Sequence, residues 1–577
     1  MNSTTRTIKH RSFSLAVFRP LLVANLLANA ITLLADLVAS VIAGNVIGEE
    51  AISAVSLTSA LYIVICFFGY IVSVGAPVLY NQLYGEFKLD ESYKLFGQSL
   101  IEAVAIGIFA SVFLKFFSPI YYGFYGASKE ITAMAQDYFK YFVIVALIYP
   151  LYVLILNMVY QDGDAKLCIL ATVVQIVTNI IVAIILTSRI GIIGLGIGTV
   201  SGVVASALTL VLHFFKKTNS LHVKFGWDWK KLWLSIKLGL YSSVAYILCI
   251  VVSITINKYI ITNFGEMYLP VYTALGALVS LSMLFASFTT ASTPLISVYF
   301  GESNFYGIKR MMKVVFKNAL VGGVIFVVLF EIFAPVVPKI FGLETEELLK
   351  SATVIVRGGC LAFLAQSMVL TLEGYYAVMR KSALSLCSSI GSSTVFPTLM
   401  MLLGMKIFGI NGLGIGYFLS AVTSLLFVTL LVRIVYGKHA FPYIVPKSDS
   451  KTFMYDTYMD VDSFIPVRNA IGKDLRENGI SDDDANRIEL LIEESFIRIR
   501  EENEGAKVLA EVSIMLGEKV QIIIKDNGKL FNLSEVDKDE NSINKYVLAN
   551  ALARLDNKIY AITSGYNRNS FEYKSQN

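Results

Sequence analysis

Charged residues are scarce in this sequence of 577 amino acids. They make up 16% of the chain, whereas hydrophobic residues make up 55%. A soluble globular protein carries about a quarter charged residues. The composition therefore excludes a wholly soluble protein and predicts that lipid surrounds most of the chain.

Cysteine and histidine are also rare, with five and four residues. All the cysteines lie in apolar runs and none has Cys-x-x-Cys spacing, which predicts buried thiols rather than disulfides or metal ligands. No histidine stands at zinc-ligand spacing from a cysteine or a carboxylate. We therefore expect no metal site, no catalytic residues and no enzymatic activity.

Long hydrophobic runs are the main feature that is present. A membrane span needs about 20 mostly apolar residues. Twelve runs meet this requirement: 18–44, 51–82, 95–117, 133–160, 167–187, 191–215, 232–262, 268–299, 312–335, 350–378, 383–405 and 409–436. Basic residues are concentrated in alternate loops, so the positive-inside rule places both termini in the cytoplasm. We expect a multi-pass protein of the cell membrane whose basic excess faces anionic lipid headgroups, not nucleic acid.

The membrane part contains an internal repeat. The glycine-rich string Gly191–Gly198 recurs as Gly409–Gly416, a shift of 218 residues. The Gly-Glu pair that begins at Gly85 recurs at Gly301, and the pair at Gly48 recurs at Gly265, with shifts of 216 and 217. A unit of six spans is even, so its copy has the same orientation in the membrane. The repeat therefore predicts two parallel lobes.

The sequence changes character after Lys447. From there on it holds 24 acidic and 17 basic residues, a net charge of −7, whereas the part before carries +12. Helical periodicity covers 462–479, 482–503 and about 543–555, strand-like runs cover 507–515 and 519–525, and further strands end the chain. Ser481, followed by three aspartates, is a helix start signal.

The predicted fold class is therefore an α-helical membrane protein with twelve transmembrane helices in two parallel six-helix lobes, plus a C-terminal α/β sandwich domain with its helices on one face of a mixed sheet. The predicted domains are an N-lobe at 1–220, a C-lobe at 221–440, a linker at 441–450 and a cytosolic α/β domain at 451–577.

Polar residues recur inside two of the predicted spans. In the first span, spacings of i, i+4, i+7 and i+11 put Asn25, Asn29, Thr32 and Asp36 in one narrow stripe. In the fifth span the same periodicity joins Gln175, Thr178 and Asn179. The amides and hydroxyls either bond neighbouring helices or contact a substrate. A carboxylate in a span is expensive to bury, so Asp36 is expected to bind a proton or cation.

Glu102 and Glu373 also lie in predicted spans, one to two turns from the cytoplasmic end. There they either attract cationic substrates into a cavity or are simply solvated at a helix end.

The membrane part resembles the multidrug and toxin extrusion (MATE) family of secondary transporters. The resemblance covers about residues 15–440 and lies in Asp36, the stretches 48–55, 73–77, 83–85 and 163–166, and Asn179. It implies a cation site at Asp36 and Asn179. The family often has a second acid four residues after the amide, where this chain has Ala183. The coupling ion, H⁺ or Na⁺, therefore stays open.

The tail resembles the histidine-kinase-like ATPase fold of anti-sigma-factor serine kinases. Asp526-Asn527-Gly528 looks like the adenine-binding turn of that family. Arg498 replaces the expected metal-binding asparagine, and 543–546 lacks the glycines of the phosphate lid. The resemblance implies a degenerate domain that senses a ligand or binds a cytosolic protein, with an adenine nucleotide at Asp526 and Gly528 left open.

These features together favour a cation-coupled antiporter that exports amphipathic or cationic small molecules by alternating access. One alternative is a flippase for a lipid-linked saccharide, which the near-absence of arginine in the spans disfavours. Another is a transporter-like sensor that signals through its tail. The sequence does not fix the substrate, the tail's ligand or the oligomeric state.

Overall fold

The computed structural model describes residues 12–47, 49–125, 129–340, 345–437, 440–445, 451–504, 506–535, 543–553 and 555–574. The side chains of 31–41 and of some other helical positions lie outside that description. Three groups of elements follow one another along the chain, and we name them the N-lobe, the C-lobe and the tail domain.

The described residues of the N-lobe form seven α-helices. They are α1 (Phe13–Val46), α2 (Glu49–Gly85), α3 (Leu89–Tyr125), α4 (Lys129–Phe139), α5 (Phe142–Gln161), α6 (Ala165–Ile190) and α7 (Ile193–Val211). The ends of α6 show why the sequence folds locally as it does. The Asp164 side chain accepts a hydrogen bond from Leu167 N at the start of the helix, and Gly191, with φ 66°, ends it.

Ten α-helices lie in the part of the C-lobe that the structure describes. They are α8 (Trp229–Phe264), α9 (Leu269–Ser282), α10 (Ala286–Gly301), α11 (Phe305–Phe333), α12 (Val337–Ile340), α13 (Glu346–Cys360), α14 (Ala362–Val378), α15 (Ser382–Ile390), α16 (Phe396–Phe408) and α17 (Gly412–Tyr436). A π-helical turn at Gly391–Val395 separates α15 from α16. Large apolar side chains such as Phe116 (70% exposed) and Ile434 (80% exposed) cover the outside of both lobes, as lipid contact requires.

The backbone repeats where the sequence repeats. Gly191 and Gly409 have nearly equal positive φ angles of 66° and 64°. Phe87 and Ser303, which are 216 residues apart, have φ of 58° and 56° although neither is glycine. Matching left-handed turns at matching offsets support two copies of one unit.

The described residues contain fewer candidate membrane spans than the sequence predicts. Within the described ranges, ten helical stretches are long and apolar enough to cross a membrane, or eleven if α13 and α14, bent by 44°, form one span. The stretch Ser382–Tyr436 counts once although it has 55 residues, and Gly409 interrupts it. The twelve predicted spans therefore stay a prediction.

The tail domain is a five-stranded sheet with three helices. Its elements are β1 (Lys451–Tyr458), α18 (Val461–Glu477), α19 (Asp482–Glu502), β2 (Leu509–Leu516), β3 (Val520–Asp526), α20 (Ile543–Ala553), β4 (Asn557–Thr563) and β5 (Tyr566–Tyr573). The strand order is β1-β2-β3-β5-β4, and every neighbouring pair is antiparallel. The expected mixed sheet is therefore wrong, because no strand pair is joined by a parallel crossover.

The two faces of the tail sheet have different partners. Alternate residues such as Val512, Ile522 and Phe571 form a core with α18–α20. The residues between them point the other way, where Met454 and Tyr566 join the apolar cluster of the membrane helices. The tail domain therefore lies directly on one end of the two lobes, which we call the tail side.

Candidate functional site

The polar stripe on α1 lies where the two lobes meet. Asn29 Nδ2 donates to Asn25 Oδ1 at 3.2 Å and to Ser287 Oγ of α10 at 2.9 Å. The structure thus brings Asn25 and Asn29 together and links them to the C-lobe. Thr32 and Asp36 belong to the α1 backbone, but their side chains lie outside the described residues. The role of Asp36 stays a prediction.

The polar residues of α6 face neighbouring helices of the N-lobe. Gln175 Oε1 accepts a hydrogen bond from the Tyr152 hydroxyl at 2.7 Å, and Ser206 of α7 donates to the same hydroxyl at 3.2 Å. The Asn179 side chain lies against the glycine face of α7, where its oxygen would be 2.9 Å from a Cβ on Gly198. Thr178 is half-buried on the same helix.

Glu102 and Glu373 lie in opposite lobes. Glu102, on α3, is only 6% exposed, and one of its carboxylate oxygens has no hydrogen-bond partner among the described residues. Glu373, on α14, accepts a hydrogen bond from Ser392 Oγ at 2.5 Å. Ser392 lies in the π-helical turn, a distortion that often marks functional positions. Neither glutamate is shown to line a substrate cavity.

The turn after β3 is filled by the domain's own side chains. Asp526 Oδ1 accepts hydrogen bonds from Gly528 N and Asn567 Nδ2, each at 2.9 Å. Asp526 and Asn567 are both 0% exposed, and burial raises the pKa of the Asp526 carboxyl to about 6. Asn503 occupies the space beside Gly528. Asn567 binds one oxygen of this carboxylate, whereas Asp526 Oδ2 has no hydrogen-bond partner among the described residues, so nucleotide binding at Asp526 and Gly528 stays a prediction.

The charged residues of α19 that the structure describes do not form a metal site either. Glu493 pairs with Arg468 at 2.6 Å, and Arg498 pairs with Glu502. Glu494 is 8% exposed, and burial raises the pKa of its carboxyl. The described residues of the chain contain no group of three potential metal ligands.

Sequence reasoning missed a buried charge cluster between the tail domain and the membrane part. The cluster consists of Glu302, Glu511, Lys525 and Arg568, and each of their side chains is at most 1% exposed. Lys525 Nζ lies 2.9 Å from Glu302 Oε2 and 3.2 Å from Glu511 Oε1. Arg568 Nε lies 2.7 Å from Glu302 Oε1. Two acids and two bases thus neutralise one another in a site closed to water.

Further hydrogen bonds complete this cluster. Glu511 Oε2 accepts from the Tyr299 hydroxyl at 2.7 Å and from Ser14 Oγ at 3.2 Å. The signal available in the sequence was a charged residue within an apolar strand: Glu511 lies between Ala510 and Val512 in β2, and Lys525 follows three isoleucines in β3. Such a charge requires a partner on that face of the sheet.

The comparisons with known proteins agree with a transporter. Residues 23–185 match the family model MatE. The chain is 23% identical over 343 residues to the probable multidrug resistance protein YoeA of Bacillus subtilis, which covers 57% of this chain and 73% of that protein. It is 23% identical over 397 residues to the multidrug export protein MepA of Staphylococcus aureus, covering 66% and 86%.

Solved structures show the same fold. A MOP superfamily transporter from Pyrococcus furiosus aligns with a TM-score of 0.69 and 18% identity, over 74% of this chain and 96% of that one. A MATE family multidrug resistance transporter in an outward-facing conformation aligns with a TM-score of 0.67 and 18% identity, over 73% and 95%. The chain therefore has the MATE transporter fold, and about a quarter of it has no counterpart in these structures.

These findings confirm three predictions made from the sequence. The chain is a multi-pass membrane protein, it has the MATE transporter fold, and it is not an enzyme. The likeness of the tail domain to an ATPase is not confirmed.

Proposed function

We propose that this chain, a multi-pass membrane transporter with the MATE fold, exports amphipathic or cationic small molecules in exchange for H⁺ or Na⁺. The named multidrug relatives support the substrate class. Basic residues are concentrated in alternate loops, which supports twelve spans. It also supports a cytoplasmic position for both termini and hence for the tail domain. The two lobes alternate between openings on either side of the membrane.

The observation that carries this proposal is the polar contact between α1 and α10. Asn29 of the N-lobe donates to Ser287 of the C-lobe, within the membrane part and at the boundary of the two lobes. Amides in a membrane span are stable only when they are hydrogen-bonded or wet. When the lobes separate, Asn29 loses its partner across the boundary, and Asn25 and Asn29 face the cleft. They are then free to bind a substrate.

Asp36 and Asn179 supply the cation site in this proposal. Asp36 belongs to α1, which packs against α6, the helix of Asn179. A single carboxylate binds either one proton or a weakly held Na⁺. Cation entry changes the charge beside the substrate and so shifts the balance between the two states of the lobes. Ala183 supplies no second acid.

A second candidate function is a sensor that reports transport through the tail domain. The buried charge cluster favours it, because Glu302 of the C-lobe is bound directly by Lys525 and Arg568 of the tail. In this reading the same lobe movement is transmitted to the tail sheet. The cytosolic ligand or protein expected at 451–577 would then bind the tail domain.

Transport in vesicles tests the proposal. Purified protein is reconstituted, a pH or Na⁺ gradient is imposed, and movement of a fluorescent cationic dye is followed for the wild type and Asp36→Asn. Glu331→Gln is the matched control, because Glu331 is also an acid in a helix that can span a membrane but is 42% exposed and lies 3.7 Å from Arg357. We expect gradient-driven transport by the wild type and the control, and loss with Asp36→Asn.

Equal transport by Asp36→Asn under both gradients would remove Asp36 from the mechanism. A wild type that moves no dye under either gradient, in vesicles that are otherwise tight, would favour the sensor.

A further inference from the structure

The tail sheet contacts both lobes through the face that points away from its own helices. On the N-lobe, Ser564 Oγ donates to Gln161 O at 2.8 Å, and the Tyr84 hydroxyl donates to Ile562 O at 2.9 Å. The rings of Phe13 and Tyr566 meet edge to face at 5.1 Å. These contacts come from α1, α2 and the end of α5.

On the C-lobe, the same face binds α10 and α11. Asn304 Nδ2 donates to Ser513 Oγ at 3.3 Å, and Arg310 forms an ion pair with Asp456. Glu302 holds Lys525 and Arg568, as described above. One rigid sheet is therefore attached to both lobes by buried polar groups.

Arg568 joins the two lobes by itself. Its Nε donates to Glu302 of the C-lobe, while its two terminal nitrogens donate to Tyr84 O and Gly85 O of the N-lobe at 2.8 and 2.6 Å. Its guanidinium also lies 3.7 Å from the ring centroid of Phe87. The planar guanidinium of arginine has several donors and can therefore bind both lobes at once, whereas a lysine supplies one point charge.

The lobes touch one another beneath this arginine. A Cβ on Gly85 would lie 2.5 Å from Val298 O, and one on Gly301 would overlap Gln82 O, so these helices are in backbone contact. Gln82 Nε2 also donates to Val378 O at 2.7 Å. The cleft between the lobes is therefore closed at the tail side.

From these contacts we infer that the inner face of the tail sheet is a clamp, an interaction surface whose partner is the tail-side end of both lobes. The lobes cannot separate on this side while Arg568 holds Glu302 and the Tyr84 and Gly85 carbonyls together. Opening toward the tail side requires the sheet to leave at least one lobe. This inference rests on the alternating movement in the proposed function and adds the element that restrains it.

The internal repeat supplies a matched control. Glu86 stands 216 residues before Glu302, at the equivalent end of the equivalent helix. It pairs with Lys88 at 2.8 Å, its side chain is 28% exposed, and it is not part of the buried cluster. Glu86→Gln and Glu302→Gln are therefore the same chemical change at corresponding positions, and only the second touches the clamp.

Distances between spin labels on the full chain test the inference. Labels at Lys217→Cys and Lys309→Cys, both exposed, report the separation of the lobes, in a Cys387→Ser background that removes the exposed native thiol. Glu302→Gln or Arg568→Lys should raise the population with the longer distance by about tenfold or more, because each disrupts a buried ionic contact. The wild type and Glu86→Gln should share the same distribution, in which the short distance dominates.

A second measurement does not depend on a destabilised variant. Labels at Lys519→Cys of the tail and at either lobe position, in an otherwise unchanged chain, should show that at least one tail-to-lobe distance lengthens whenever the lobes separate. The clamp is overturned if the lobes separate while both tail-to-lobe distances stay unchanged. It is also overturned if Glu302→Gln and Arg568→Lys fold and leave the distance between the lobes unchanged. The label distances are measured without a substrate. If they behave as expected but the protein transports no dye, only the proposed function is refuted.

Discussion

Replacing Lys525 by methionine tests the physical importance of the buried charge cluster. Lys525 Nζ contacts two carboxylates, Glu302 at 2.9 Å and Glu511 at 3.2 Å, and lies 4.1 Å from the centroid of the Tyr299 ring. Methionine has a similar length and volume, so the change removes the charge without opening a large cavity. The effect on stability therefore reports the charge.

The size of the effect follows from what remains after the substitution. Glu302 keeps Arg568 at 2.7 Å, but among the described residues Glu511 keeps only the hydroxyls of Tyr299 and Ser14. One buried carboxylate is then left without a cation. Breaking a buried ion pair by removing one partner costs about 3–5 kcal/mol. Because Glu511 retains two hydrogen bonds, we expect a value of about 3 kcal/mol, at the lower end of that range.

Thermal unfolding of the purified protein measures this effect. The control is Lys519→Met, which removes the same side chain from an ion-paired position that is 43% exposed, with partners at 3.2 and 3.3 Å. An exposed pair contributes about 0–1 kcal/mol. The double variant Lys525→Met with Glu511→Gln should regain part of the loss, because the orphaned charge is gone. Equal destabilisation by Lys525→Met and Lys519→Met, or no recovery in the double variant, contradicts this reasoning.

Two further predictions concern the lobe contact and the tail domain. Gly301→Ala should separate the tail-side ends of the lobes, because the added methyl group overlaps Gln82 O. The distance between labels at Lys217→Cys and Lys309→Cys should then lengthen. The control, Gly276→Ala in α9, has open space around the added methyl group and should leave that distance unchanged. For Asp526, the folded pKa of about 6 exceeds the ordinary 3.8, so tail stability should fall as pH rises from about 4 to 6 and then stay constant. Asp526→Asn should remove this loss of stability, which is worth about 3 kcal/mol at pH 8. Denaturant unfolding at pH 4 and pH 8 measures the difference. A variant that is no more stable than the wild type at pH 8 would show that the buried carboxylate carries no such penalty.

Much of the fold could be predicted because local signals determine it. The Ser481 side chain caps α19 by accepting a hydrogen bond from Asp484 N at 3.2 Å, as its position before three aspartates indicates. The repeated glycines end helices or permit close contact at matching places in both lobes. These features depend on neighbours in the chain.

Features that depend on distant partners could not be predicted. The first strand, β1, was missed because its alternate residues include polar groups such as Asp456, whose partner Arg310 lies 146 residues away. The antiparallel order of the sheet follows from β5 inserting between β3 and β4, which no local pattern records. The buried role of Glu302 could not be inferred from the repeat either, because its equivalent, Glu86, is only partly buried and pairs with Lys88 instead.

The candidate site divides in the same way. Helical periodicity correctly joined Asn25 to Asn29, but it gave no indication that Ser287 of the other lobe completes the contact. Asp526 followed by Gly528 correctly indicated a turn. That the Asn567 side chain would fill the space beside it could not be read from local sequence.

Equilibrium binding of a cationic dye to the purified protein, titrated with H⁺ and Na⁺, tests the central claim most directly. If a cation and the substrate compete through Asp36, one of the two ions should weaken dye binding to the wild type by about tenfold, the size of a typical coupling between sites. The same titration should leave binding to Asp36→Asn unchanged. A wild type that is insensitive to both ions, or an Asp36→Asn variant that responds as the wild type does, would contradict cation-coupled export.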